Sequence, residues 1–125
     1  MVAFTIEQSP TSEGVVAIPR IGAQAVDVPF TFHYRDRASL AALYERWSTE
    51  QARLLGQEPT DSLLQATEAL IDFQVRQLQD IVVGWGFEEA FTAENLRQLV
   101  SSAVTVPELI LTAYSQAYAL SRSGN

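Results

Sequence analysis

The chain has 125 residues and a formal net charge of −7, with eight basic against fifteen acidic side chains and no cysteine. That length fits one domain, 1–125, able to bury a core without staples. It leaves no disulfide framework, thiolate metal site or cysteine nucleophile, and the negative balance argues against duplex nucleic acid and anionic membranes as partners. All eight basic residues are arginine, so a Walker-type phosphate loop and a Schiff-base lysine are excluded. The single histidine, His33, cannot build a multi-histidine metal site. No apolar run approaches the ~20 residues that span a bilayer, and the start lacks a secretory leader's charged and apolar regions. A soluble intracellular protein is the expectation.

Met1 to Gln8 alternates Val2, Phe4 and Ile6 with polar residues, the pattern of a short half-buried strand. Ser9 to Gly14 reads as a loop by composition. Val15 to Arg20 is a second strand candidate, shortened by Pro19, and Ile21 to Ala25 a connection. Val26, Val28, Phe30, Phe32 and Tyr34 then alternate strictly with polar positions and Pro29, the clearest strand in the chain. Pro29 cannot donate to a ladder, which places it on an edge or at a bulge. Residues 1–34 therefore read as a small antiparallel sheet whose exposed edge is open to a partner.

Residues 35–121 read as helical. Leu40, Leu43, Tyr44 and Trp47 share one face of a first helix that Gly56 stops near Leu55. The second, from about Asp61 to Val83, carries Leu64, Ile71, Val75, Leu78 and Val82 within roughly 40° of arc. Leu63, Leu70 and Ile81 widen that stripe. Glu68, Asp72, Arg76 and Asp80 form an i, i+4 row opposite, with Asp72 and Arg76 oriented to support the helix. Phe73 falls on this polar side. Trp85, between Gly84 and Gly86, cannot be an ordinary helical position; with Phe87 and Phe91 it reads as the plug of a core corner. Thr92 caps a short third helix, Ala93 to Ser102. Thr105 and Glu108 have capping-box spacing, and Pro107 suits the first turn of a fourth helix running to about Leu120. That helix spreads its apolar residues over roughly 200°, about twice what a surface helix needs. Residues 122–125 read as a disordered tail. The expected core includes Phe30, Phe32, Trp47, Trp85, Phe91 and Leu96. The fold class is α+β: a small N-terminal antiparallel sheet followed by about four helices.

Catalytic and ligand readings are weak. Glu88-Glu89 beside aromatics offers an acid–base pair, but a solvated acidic turn before a helix start is the better reading. The Glu68/Asp72/Asp80 row is interrupted by Arg76. His33, Asp36 and Ser39 lack a nucleophile elbow, and Arg35 and Arg37 read as surface pairs with Asp36. The Trp85/Phe87/Phe91 cluster reads as core corner in preference to a ligand pocket. No cofactor, metal or small-molecule substrate is expected. Phe73, Leu111, Tyr114 and Tyr118 are the candidate protein-contact residues. Burial of the last helix against the sheet is the equal alternative.

Taken together, Phe30-Thr31-Phe32-His33-Tyr34-Arg35, Ile81 to Trp85, Phe91-Thr92-Ala93-Glu94-Asn95-Leu96, Pro107-Glu108-Leu109-Ile110 and Ala113-Tyr114 resemble the tail assembly chaperones of long-tailed (siphophage-type) bacteriophages. The likeness spans about Val26 to Tyr118 and departs from the family at the acidic link from Gly86 to Ala90. It implies a non-enzymatic protein of the host cytoplasm that self-associates and coats the tape measure protein before the tail tube polymerises. It further implies absence from the mature virion. A structural tail-tube or head–tail connector component and a small enzyme are the rival readings.

Overall fold

A computed structural model describes Phe4, Ile6 and residues 8–56 and 62–123, with side chains as far as Ala117. The order of elements is β1 (Thr11–Arg20), β2 (Ala23–His33), α1 (Arg37–Leu55), α2 (Leu63–Gln79), β3 (Val82–Trp85), α3 (Ala93–Ser102) and α4 (Val106–Ser123). The strands form one antiparallel sheet in the order β1-β2-β3, so the α+β class holds. The third strand is drawn from between α2 and α3.

The strand boundaries differ from the sequence expectation at both ends. Phe4 and Ile6 are outside any strand and almost fully exposed, and the rest of the expected Met1–Gln8 strand lies outside the described residues except Gln8, which is not in a strand. The expected Ser9–Gly14 loop instead contributes Thr11 to Gly14 to β1. The connection after it is only the turn Ile21-Gly22, where Gly22 has φ +74°. L side chains are disfavoured there.

Side chains on one face of the sheet form the core: Val16 and Ile18 of β1, Val28, Phe30 and Phe32 of β2, and Val82 of β3 are buried. Helix α4 packs on β1, while α2 and α3 pack on one another. The opposite face, with Val15, Ala17, Asp27 and Pro29, is exposed.

Pro29 corrects the sequence expectation. It lies in the central strand, opposite Val15. Its carbonyl accepts from Gly86 N–H at 2.9 Å, so its backbone faces β3 where that strand has just ended. The missing N–H forgoes only the reciprocal bond to Gly86, beyond the last paired residue of β3. The ring also explains Gly86: a Cβ there would stand 2.6 Å from Pro29 Cγ and 2.7 Å from Cδ. A closed ring cannot swing aside, so Gly86→Ala is expected to cost about 1–3 kcal/mol, read as a lowered melting temperature.

Helix α1 is capped by Asp36, whose carboxylate accepts from Ser39 N–H at 2.8 Å. Helix α2 starts with a capping box between Ser62 and Gln65. It ends at Gln79, with Asp80 as its C-cap, about a full turn earlier than the apolar stripe suggests. His33 N–H donates to Ile81 O at 2.8 Å, and the Arg35 guanidinium donates to Asp80 O at 2.9 Å. These bonds take up the carbonyls of the turn that follows the helix and lead Val82 into the sheet. Thr92 caps α3. Helix α4 runs through Ser123, so the expected tail begins inside a helix, with Gly124 and Asn125 outside the described residues.

Candidate functional site

The acidic and basic residues singled out in the sequence serve to join elements. Asp80 accepts from Trp47 Nε1 at 2.9 Å and pairs with Arg46 at 2.8 Å. Arg35, which reaches the Asp80 carbonyl, also donates to Ser39 Oγ at 3.3 Å. Arg76 faces Glu50 of α1, and Asp72 pairs with Arg97 of α3. The expected Asp72–Arg76 support within α2 is thus replaced by pairs to both flanking helices. Asp36 is spent on its cap, His33 is exposed on the outer face of the sheet, and Glu88 and Glu89 are exposed ahead of α3. Among the described residues no group of three His, Asp or Glu is placed to hold a metal, and no helix is long and apolar enough to cross a membrane.

Two of the expected contact residues are interior. Phe73 is buried, because α2 is packed on more than one side, by α1, α3 and the sheet. Its position opposite the main stripe faces protein. Tyr114 is 1% exposed and meets Phe32 edge-on at 5.5 Å. Leu111 is half-buried against the core, and the Tyr118 side chain lies outside the described residues. Val106, Ile110, Ala113 and Ala117 of the same helix are buried as well. As far as Ala117, the apolar residues of α4 are spent on β1, α2 and α3.

Of the expected core, Phe30, Phe32, Trp47 and Leu96 are buried, whereas Trp85 and Phe91 are only half-buried. Trp85 sits in β3 with its ring edge-on to Phe30, Phe87 and Phe91 at 6.1, 5.0 and 5.0 Å. Its Nε1 donates to Glu89 O at 2.7 Å. The cluster closes one end of the sheet on one side. On the other it borders an open groove of about 410 Å³, lined by Ile18, Ile21, Trp85, Phe87, Leu99 and Ala103.

The exposed apolar surface that the sequence did not single out is on the α1–α2 hairpin. Trp47 meets Asp80 and Glu50 meets Arg76, so the two helices run antiparallel. Continuing that pairing sets Leu55 near Ile71, and the first two turns of α2 overhang the end of α1 by about 12 Å at 1.5 Å per residue. Every residue from Ser62 to Glu68 is exposed. Leu63, Leu64 and Leu70 are 84%, 66% and 49% exposed, and Leu55 beside them 79%. Leu63, Ala66 and Leu70 share one helical face by their i, i+3, i+7 spacing. These leucines looked like core because the spacing of Leu63, Leu64 and Leu70 matches that of the buried Val75 and Leu78. The length of the overhang, which depends on where α1 stops, decides otherwise.

Single leucines on a surface need no explanation, but several together at a projecting tip make this tip the candidate contact surface. A comparison with protein families gives a match over residues 1–125 to a family described as phage tail assembly chaperone. No curated protein and no solved structure matches significantly.

Proposed function

Because the chain belongs to the phage tail assembly chaperone family, we propose that it binds the tape measure protein, associates with further copies of itself, and leaves before the virion is complete. The observation that carries this reading is the overhanging start of α2, with Leu63, Leu64 and Leu70 in solvent and no core beneath them. A long apolar helical client offers a stripe of its own, and a helix presenting i, i+3, i+7 anchors pairs with such a stripe. The net charge of −7 keeps a protein with exposed leucines in solution until the client arrives. The role is one of binding, in the cytoplasm of the host, without catalysis.

Leu63→Glu together with Leu70→Glu is the direct test. Both side chains are exposed, so the stability should stay within about 0.5 kcal/mol of the parent. Co-purification with the tape measure protein should fall at least about tenfold, equivalent to about 1.4 kcal/mol. Undiminished co-purification would remove the α2 overhang from the client interface. Mass spectrometry of purified virions separates this role from that of a tail-tube or connector component, which would be retained in the particle.

A further inference from the structure

We propose that the free edge of β1 is a dimer interface, pairing antiparallel with β1 of a second copy about a two-fold axis at Val15. This rests on the self-association reading above and gives it a surface and a register.

The direction of each backbone group in β1 follows from β2. Pro29 O and His33 N–H bond toward β3, to Gly86 and Ile81. Val15 pairs with Pro29 and Thr11 with His33, so these are the pairs that exchange no bond across β1 and β2. Thr11, Glu13, Val15, Ala17 and Pro19 consequently point their backbone groups away from β2, toward the outside of the sheet. Ser12, Gly14, Val16 and Ile18 hold the ladder and face the core side. Among the described residues no other backbone group bonds to the outward set.

That edge lacks most of the usual protections. It is ten residues long, where a guarded edge is short, charged, bulged or covered. Helix α4 covers its core face, where Ala113 O would lie 3.6 Å from a Cβ on Gly14. The proline and the register shift lie at Ile18 to Arg20, beside the hairpin turn. The outward set carries one charge, Glu13. The opposite edge, β3, has four residues and an irregularity of its own.

The occupant of such an edge must be an extended strand, which a helical client does not offer. A second β1 does. Centred on Val15, the pairing sets Val15 against Val15, Glu13 against Ala17 and Thr11 against Pro19. Every outward residue is used, and the only donor lost is that of Pro19. The two Glu13 carboxylates stand about 14 Å apart, four residues at 3.4 Å each, beyond the ~8 Å screening length of physiological salt. Val15, 62% exposed in one copy, gains a β-branched cross-strand partner. The product is a continuous six-stranded sheet with an isologous interface.

Two variants test this in the full chain. Val15→Pro removes a donor that β2 does not use, so the fold should persist by circular dichroism. In sedimentation the assembly should fall to half the parent mass. Val15→Cys adds the only thiol to a cysteine-free chain. Facing residues in a bonded antiparallel pair lie about 5.5 Å apart at Cα, within disulfide reach, so mild oxidation should give a covalent dimer. Ala17→Cys should not, because its partner is Glu13. A parent that is multimeric while Val15→Pro keeps its mass and Val15→Cys stays uncrosslinked overturns the β1 interface and leaves self-association standing. A parent that stays at 13.8 kDa at millimolar concentration overturns both. Loss of assembly on deleting residues 1–7, with Val15→Cys uncrosslinked, assigns the edge to another segment and also overturns the pairing.

Discussion

Tyr114→Glu is expected to abolish the folded state. The ring is 1% exposed, set edge-on to Phe32 of β2, beside the strand β1 that α4 packs on. Removing a buried aromatic of this size costs about 3–5 kcal/mol. Placing an ionised carboxylate there adds several kcal/mol more, since among the described residues no basic side chain is buried. Together these match the whole reserve of about 5–15 kcal/mol that a domain of ordinary stability has. The measurement is a thermal melt followed by near-ultraviolet circular dichroism, and the expected trace has no cooperative step. A native-like melt would mean that α4 lifts from β1 without cost. The sequence pattern made Tyr114 a candidate protein contact; its burial makes it a residue of the folded core.

Phe32→Ala should be the next most damaging. Phe32 is fully buried between Phe30, at 6.3 Å, and Tyr114, at 5.5 Å, and it reaches to within 3.0 Å of the Cβ position at Gly14. Strand and helix are held apart by this ring, so the space left by alanine cannot close without moving α4. An expected loss of about 3–5 kcal/mol corresponds to a drop of roughly 10–20 °C in melting temperature for a domain of this size. A shift of only a few degrees would show that the neighbours collapse into the space.

Local rules located the features that depend on local chemistry. The alternation from Val26 to Tyr34 locates most of β2, which starts three residues earlier at Ala23 and ends at His33, because its core face is buried and its other face is wet. Gly56 and Thr92 mark helix ends because capping is a contact with neighbouring residues, whereas the Asp36 cap was read as a surface pair with its arginine neighbours. The sequence failed where a distant partner decides. Ile81-Val82-Val83 continues the stripe of α2 by periodicity, and only the bonds from His33 and Arg35 end the helix and start β3. Phe73 looks solvent-facing until α1, α3 and the sheet all pack around α2. Leu63, Leu64 and Leu70 look like core until α1 stops short of them. The exposed apolar surface was therefore legible as an excess of apolar residues, but its position was not. A single periodicity cannot tell a helix with several neighbours from one with none.

The third strand's place between α2 and α3 bears on how the chain matures on the ribosome. The hairpin of β1 and β2 is complete at His33, yet β3 emerges only after roughly fifty further residues, some 3–10 s at ordinary translation speeds. Through that interval Phe30 and Phe32 have neither Trp85 nor Tyr114 beside them. The nascent hairpin is consequently the stage most exposed to premature aggregation, and α4, which brings Tyr114 to Phe32, is the element that ends the risk.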